Sequence, residues 1–584
     1  MIHHPLSFAD TFCARFGVAP LFTNAVPGAI WRYFWPIMAA AFFLRVGVAV
    51  SSDWIYRSDE LVQHLEQAHR LVFGYGIVPW DYHYGARNWL AIMPAATTLK
   101  LLQIMGLGHP DYYVPAVKIL NATLSMAVPA GLYFFLRRHL SEIAARAGFV
   151  FCCFWWEFLI FAPHTLPSQY GGILIAAGLG CMATQGGLFR LFLCGFLLGL
   201  AGMLRLQYAP VAGLLGLIYL LSLPPKRMPF FMLGGMAAVL SAGWSDYLFW
   251  GSWWSSYFQY IRIALVTEYL TGDQREKSFS ITPFLQMQFF SSLGLYAVLF
   301  FLGLWQWRKY WIPLLLIIII PLIHNAHQHY SYLFLSFMMF AVLWGGVTEY
   351  LYSAKKPIFI IVGITTAFIS TAGMFNWIPS MTKRFSVLQR SYDSPLFLYQ
   401  NPTLAIAKTI SRLPPKQVKA VLWSGGTILE TGNYYYLHHQ VPVYYLYSFF
   451  QEEHRKIIND SGLPSSKLFS HIVALSDQTF DGFTPIENFE IGQGNNQMSV
   501  SIFENITDND IWIPENFPLY APWWRLDFYL KRILRRLCRY FCRREKICLK
   551  PHLLSECLPD NHDGSVSLFI KIGEAISSKC HPVR

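Results

Sequence analysis

Eleven stretches of this chain are apolar over lengths approaching or matching the thickness of a bilayer, and no water-soluble packing could hide them all. They lie near 34–51, 113–136, 147–162, 170–184, 188–204, 208–222, 229–250, 286–305, 311–324, 331–351 and 358–378. Apolar runs of about 18 residues read as membrane spans. Of the 584 residues, 54% are hydrophobic and only 13% charged, so a soluble fold would lack the polar surface to cover itself. The class is a polytopic α-helical membrane protein; a single soluble enzyme, a disordered chain and a small secreted scaffold are excluded.

A twelfth run, 89–105, carries Pro94 and Lys100 and suits a helix lying along the membrane face. Orientation decides the count. If 89–105 does not cross, the connections holding Arg137, Arg138 and Arg146, then Arg190, Lys226, Arg227, Arg308, Lys309, Lys355 and Lys356 all fall on one side. The positive-inside rule makes that side the cytoplasm. The N-terminus is then inside, and residues from about 380 onward lie outside, in a periplasm or an organelle lumen. Residues 1–34 lack the pattern of a cleaved secretory signal, so the first span is expected to direct insertion.

Three regions follow: 1–380 as a membrane domain with a first external loop at 52–112, 381–518 as an external α/β domain, and 519–584 as a basic tail. In the second, short apolar strands at Ala420–Trp423, Val441–Leu446 and Ile472–Leu475 alternate with helix-length polar stretches, and a hairpin follows from Phe489–Gln493 and Ser499–Glu504. Gly425-Gly426 reads as a loop turn rather than a phosphate cradle. In the tail, ten Lys and Arg residues between Arg525 and Lys550 face two acidic ones, a net +8 of the chain's +12. Apolar residues there recur every three or four positions, the pattern of a basic amphipathic helix on a membrane surface. Nothing else in the chain supports a nucleic-acid partner. The cysteines near the end include no CxxC pair and are odd in number, so neither a zinc site nor a closed disulfide framework is expected.

Polar residues at span ends converge on one face. Asp59 and Glu60 follow the first span, His164 occupies a short outer loop, Arg205 and Asp246 end spans, and His324, His327 and His329 sit where another emerges. Charges in such places line cavities or bind something, although Arg205 could snorkel, Asp246 could cap a turn, and Asp59 and Glu60 could offset a helix dipole. The histidine spacing is a poor metal set without a nearby carboxylate. Apart from Arg45 and Lys118, the charges of the spans gather at that outer face.

The stretch Ser58 to Pro94, SDELVQHLEQAHRLVFGYGIVPWDYHYGARNWLAIMP, resembles the first external loop of glycosyltransferase family 22. These are GT-C mannosyltransferases of N-glycan precursor and GPI-anchor assembly, with bacterial relatives, among which this chain is expected to fall. Asp59, Glu60, Gln63, Leu65-Glu66, Ala68-His69-Arg70, Gly74-Tyr75-Gly76, Trp80 and Arg87 stand at matching places. Asp246 through Trp253 is similar to the family's aspartate, aromatic, glycine and tryptophan segment. His327-Gln-His-Tyr-Ser-Tyr332 occupies the place of a His-Lys-Glu-x-Arg-Phe motif, with His329 for an acid and Ser331 for an arginine; Arg57-Ser58 replaces His-Pro, and Asp81 stands where Glu is usual.

The resemblance implies a membrane glycosyltransferase that moves a sugar, mannose above all, from a polyprenyl-phosphate donor to a glycan or glycolipid acceptor, with inversion and no obligatory cofactor or metal. Such a transfer needs a carboxylate to take the acceptor proton and cations to hold the leaving phosphate. Asp59 is the expected base with Glu60 beside it, and Gln63, Glu66, His69, Arg70, Trp80, Asp81, Arg87, Arg205, Asp246, His327 and His329 are the expected substrate-binding residues. A divalent ion at the acidic pair stays open. The expected setting is a bacterial inner membrane with a periplasmic site, or an endoplasmic reticulum membrane with a luminal one. The competing reading is a transporter of lipid-linked sugars or small molecules. That would predict charges at the midplane and an inverted repeat.

Overall fold

The computed structural model describes residues 30–53, 55, 58–184, 186–263, 289, 292–323, 330–354, 356–375, 402–424, 433–445, 451–491, 498–507 and 510–514. The basic tail, the three histidines at 324–329 and residues 264–288 lie outside the described residues.

After α1 (Phe34–Ser51), the first loop carries a short turn at Ser58–Glu60, a π-helical turn at Leu61–Leu65, α2 (Glu66–Phe73) and α3 (Met93–Ile104). The bundle continues with α4 (Pro110–Ser125), α5 (Ala127–His139), α6 (Glu142–Phe154), α7 (Trp156–Ile160), α8 (Pro167–Ala183), α9 (Leu188–Leu204), α10 (Ala209–Ser222) and α11 (Met228–Trp250). A short α12 (Ser255–Ile261) precedes α13 (Leu295–Trp305), α14 (Trp307–Ile323), α15 (Phe334–Ala354) and α16 (Lys356–Met374). With α4–α5 and α6–α7 each taken as one unit, the described helices follow the order of the apolar runs expected as spans. Among the described residues four segments, Phe34–Ser51, Pro110–His139, Met228–Trp250 and Phe334–Ala354, are long and apolar enough to cross singly. The run 89–105 forms a 3-10 turn at Trp89–Ile92 and then α3, whose Ala95, Ala96 and Leu99 pack in one core with residues of the C-terminal sheet.

Small residues set the closest crossings. A methyl group on Gly195 would sit 2.0 Å from the Phe231 carbonyl oxygen, and one on Gly234 would sit 1.9 Å from that of Phe192. Only glycine lets α9 and α11 approach so near. The pass α6–α7 is broken at Trp155, whose ψ of 130° is extended. Inside a bilayer the freed backbone groups need partners, and side chains of two other passes supply them. Arg45 of α1 donates to Cys152 O at 2.7 Å and Cys153 O at 2.9 Å; Ser370 of α16 donates to Phe154 O at 2.8 Å and accepts from Trp156 N at 3.0 Å. Arg45 is thus explained by the break. Just after it, Glu157 is fully buried, accepting from Trp155 Nε1 at 2.8 Å and from the Tyr296 hydroxyl. Sequence reading passed over this intramembrane carboxylate.

Past the bundle, α17 (Pro402–Arg412), β1 (Val421–Trp423), α18 (Asn433–Leu437), β2 (Val443–Tyr445), α19 (Gln451–Ser461), β3 (His471–Leu475), β4 (Phe483–Ile491) and β5 (Met498–Asn505) form the α/β domain. The sheet order is β2-β1-β3-β5-β4. The first three strands are parallel, with Val421 opposite Val443 and His471; β3–β5 and β5–β4 are antiparallel, with Ile472 opposite Phe503. Strand periodicity sorts the side chains. Leu422, Tyr444, Ile472 and Ala474 face a core with Ile457 and Ile458 of α19. Val421, Trp423, Val443, Tyr445 and Val473 face the other way, into a core that also holds Leu61, Leu65, Ala68, Tyr82, Trp89 and Ile92 of the first loop. Loop and C-terminal domain therefore share one hydrophobic core, although sequence reading assigned them to separate regions.

Candidate active site

The first loop, the α7–α8 connection, the C-terminal ends of α9 and α11, and the C-terminal domain all meet at one end of the bundle. Glu60 is 4% exposed, and its carboxylate faces the α7–α8 connection. Its Oε2 lies 2.7 Å from His164 Nδ1, and Oε1 accepts from Thr165 N at 2.8 Å. The preceding residue, Asp59, is half-buried. Successive helical residues point about 100° apart, so the two carboxylates serve different surroundings. The Asp59 charge acts on Asp81, which belongs to a second network.

In that network Asp81 Oδ2 accepts from Arg87 Nε at 2.8 Å, and an Arg87 terminal nitrogen donates to Gln63 Oε1 at 2.8 Å. Burial pushes the Asp81 carboxyl upward, opposed by Arg87 and reinforced by Asp59. Desolvation works against the Arg87 charge, yet Asp81 and Tyr260 outweigh it and hold the guanidinium above its ordinary value. His64 is driven down to about 3, by burial first and then by Arg87 and Arg205. Arg205 is 7% exposed at the end of α9, with its guanidinium 4.3 Å from the centre of the Tyr332 ring. Its Nε has no hydrogen-bond partner among the described residues. A buried cation this poorly satisfied is poised for an anion.

Asp246 takes the capping role weighed for it. Its Oδ2 accepts from Ser256 N at 2.8 Å and Ser256 Oγ at 2.7 Å in the first turn of α12, and Oδ1 accepts from Asn88 Nδ2 at 2.7 Å. Both oxygens are engaged, which fixes the end of α11 to the first loop. Trp250 adds a bond from its indole to Arg87 O at 3.0 Å.

Glu66 and His69 stand elsewhere, at the joint with the C-terminal domain. Glu66 is fully buried; its Oε1 accepts from Ile77 N at 2.7 Å and Oε2 from Tyr435 N at 2.9 Å, with Tyr434 N–H also bonded. Burial raises its carboxyl to about 7 against those backbone bonds. Gly76 has φ +149°, and a Cβ there would lie 2.8 Å from Glu66 Oε1, so the glycine is what admits the carboxylate. His69 Nε2 lies 3.1 Å from His438 Nδ1, and the Tyr75 hydroxyl donates to His438 O at 3.0 Å. Arg70 donates to Gln67 Oε1 at 2.5 Å, and Gln67 holds Val62 O and Ile77 O. Arg412 pairs with Asp111 at 2.9 Å and Lys408 with Asp53 at 2.8 Å. The loop motif therefore has two halves: Asp59, Glu60, Gln63, Asp81 and Arg87 build the carboxylate site, while Glu66, His69, Tyr75 and Gly76 dock the C-terminal domain. Sequence reading missed Asn88 and His438; the His438 partnership spans 369 positions and leaves no local signal.

Trp80 lies in a short helix at Trp80–His83. His327 and His329 fall outside the described residues. Among the described residues no group of three His, Cys, Asp or Glu side chains could hold a metal ion.

Residues 36–266 match the Alg9-like mannosyltransferase family, which bears out the family 22 resemblance carried by the first loop. The chain is 30% identical over 223 residues to GPI mannosyltransferase 3 of Yarrowia lipolytica, covering 37% of this chain and 43% of that protein. It is 27% identical over 155 residues to GPI alpha-1,2-mannosyltransferase 3 of Xenopus laevis, covering 26% and 29%. The matches thus span less than half the length of either relative. ArnT from Cupriavidus metallidurans in the apo state superposes with a TM-score of 0.50 at 11% identity, over 80% of this chain and 97% of that one. The fold is of the polytopic GT-C type.

Proposed function

We propose, from a chain whose residues 36–266 carry Alg9-like mannosyltransferase motifs on a GT-C fold, that it transfers mannose from a polyprenyl-phosphate donor to a glycolipid acceptor, inverting the anomeric carbon. Asp59 takes the proton of the acceptor hydroxyl as that oxygen bonds to the anomeric carbon. The bond from that carbon to the phosphate oxygen breaks, and polyprenyl phosphate leaves with the electron pair. Arg205 holds the phosphate as its charge grows, and the Asp81–Arg87–Gln63 network fixes the loop that carries Asp59. The observation that carries this reading is the buried Arg205 guanidinium, with an unsatisfied Nε, at the same end of the bundle as the half-buried Asp59.

The active face is extracytoplasmic, since Arg137, Arg138, Arg190, Lys226, Arg227, Arg308 and Lys309 all lie at the opposite ends of the passes. The names of the relatives support a GPI-type glycolipid as acceptor and, with it, the luminal face of an endoplasmic reticulum membrane. The transporter reading loses ground because the polar groups gather at one end, and the inner charges Arg45 and Glu157 are engaged by a helix break and by Trp155 and Tyr296. The test presents purified protein in nanodiscs with radiolabelled polyprenyl-phosphate mannose, glucose and arabinose, together with membrane glycolipids. Transfer of mannose label to a glycolipid is expected. Absence of label transfer, together with movement of intact donor across the bilayer of sealed proteoliposomes, would overturn the assignment.

A further inference from the structure

Three Asn-x-Ser/Thr triplets lie along the chain, Asn121-Ala-Thr, Asn459-Asp-Ser and Asn505-Ile-Thr. Each has the form of an acceptor for an N-linked glycan, a bulky, solvated group that must end on the surface of the folded protein. By sequence the three are alike; the fold separates them.

Asn121 is fully buried in α4, where its amide donates to Pro163 O at 3.2 Å and accepts from the Tyr170 hydroxyl at 2.7 Å. Asn505, at the end of β5, spends both amide hydrogens inside the C-terminal domain. Its Nδ2 donates to Ser466 O at 2.8 Å and Phe469 O at 3.0 Å, while Oδ1 accepts from Thr507 N at 2.8 Å and Thr507 Oγ1 at 2.6 Å. A glycosylated asparagine keeps a single N–H on that nitrogen. A glycan there would leave one carbonyl without its donor and force its first sugar between β5 and the short helix Ser465–Leu468. Asn459, by contrast, is exposed in the last turn of α19. Its neighbours Ile457 and Ile458 hold that helix against Leu422, Tyr444 and Ile472, on the sheet face opposite the one shared with the first loop. A glycan on Asn459 stands on the far side of the sheet from the joint and breaks no hydrogen bond of the sheet.

We infer that Asn459 is an N-glycosylation site, and that the folded protein carries no glycan at Asn121 or Asn505. The Asn459 side-chain nitrogen bonds to the anomeric carbon of an oligosaccharide carried on a lipid diphosphate, delivered by the oligosaccharyltransferase of the membrane in which the chain is made. The bond from that carbon to the phosphate oxygen breaks, the lipid diphosphate leaves with the electron pair, and the nitrogen gives up one proton. Such transfer acts on extended chain, so folding sorts the products afterwards: a chain modified at Asn505 cannot close β5 against Ser466 and Phe469. The inference rests on the luminal placement of the C-terminal domain proposed above and is independent of the mannose-transfer chemistry.

The test expresses the full-length chain in insect cells and isolates the monodisperse protein in detergent. Peptide N-glycosidase in heavy-oxygen water then converts each glycosylated asparagine to heavy-labelled aspartate, and mass spectrometry of the peptides locates the label. Label is expected at Asn459 and not at Asn121 or Asn505, with one discrete drop in apparent mass on a gel that is lost in Asn459→Gln. Asp477→Asn is the control. With Gln478 and Thr479 it completes a new triplet in an exposed turn of the same domain, so this variant should drop by two steps. A step from the control site without label at Asn459 would overturn the inference and leave the luminal reading standing. No glycan in either protein would overturn both. Label at Asn505 in monodisperse protein would refute the sorting by the fold. Glycosylated protein that transfers no mannose would uphold the Asn459 site and sink the transferase reading.

Discussion

Glu66→Gln separates two roles that the sequence alone leaves merged, contact with substrate and attachment of the C-terminal domain. The Glu66 carboxylate accepts from Ile77 N at 2.7 Å and Tyr435 N at 2.9 Å, on different oxygens. Glutamine offers one oxygen and turns an NH2 donor toward the other N–H. One hydrogen bond to a charged acceptor is lost, worth about 1.5–3 kcal/mol, and a buried donor is left unpaired at roughly 1–3 kcal/mol. Allowing for local relaxation, the joint should weaken by about 3 kcal/mol, on the order of a hundredfold in its opening equilibrium at about 1.4 kcal/mol per tenfold. Because burial raises the Glu66 carboxyl to about 7, the comparison belongs at pH 8, where the wild-type group is ionised. Hydrogen exchange of the Asn433–Leu437 amides is the assay. They should exchange about a hundred times faster in the variant, with turnover reduced and donor KM unmoved. Wild-type exchange together with a raised donor KM would refute the docking role and return Glu66 to the substrate.

Asp59→Asn should lower turnover by about 10²–10⁴, the contribution of a positioned general base, while equilibrium binding of the donor survives; near-normal turnover would remove Asp59 from that role. Arg205→Gln should act oppositely, weakening donor binding measured by scintillation proximity, and unchanged affinity would place the phosphate elsewhere. His69 and His438 are held down to about 3 and about 4, chiefly by burial, with His438 acting on His69 and with His109 and His439 acting on His438. Their contribution to the joint is therefore complete above about pH 6.5, the ordinary histidine value, and is lost as pH falls toward about 4. The opening of Asn433–Leu437, taken as the exchange rate divided by the intrinsic rate at each pH from 7.5 to 4.5, should rise, and a flat profile would count against the histidine pair. Single cysteines at 83 and 477 should be labelled from one side of sealed vesicles and those at 226 and 308 from the other; labelling of 83 and 477 from opposite sides would end the single-face arrangement.

The passes and the strands were legible because each obeys one strong local rule, bilayer thickness for the helices and side-chain alternation for the sheet. The strand expected at Ile472–Leu475 is found at His471–Leu475, and the hairpin is longer than its alternating core suggested, reaching back to Phe483. Glu157 escaped notice because one carboxylate in an apolar run does not alter the pattern, and its partners Trp155 and Tyr296 are themselves span residues. The division of the loop motif between site and joint was equally hidden. Glu66, His69 and Gly76 look like ligand-binding residues when their neighbours are read along the chain. Their partners at 434–438 read only as a tyrosine and histidine run in a distant domain. Arg205 and Asp246 were both named from the sequence, but only geometry distinguishes a guanidinium whose Nε lacks a hydrogen-bond partner among the described residues from a carboxylate engaged by Ser256 and Asn88.

The core shared by the first loop and the C-terminal sheet also bears on how such a chain comes to life. Glu66 and His69 meet their partners across 369 positions, so the loop is made long before the segment that completes it has been synthesised. In that interval the apolar side of Leu61, Leu65 and Trp89 stays uncovered, and closing so long a separation is intrinsically slow. Whatever the assembled end of the bundle does, it can begin only after residues 433–505 have been made and docked, a delay written into the order of the sequence.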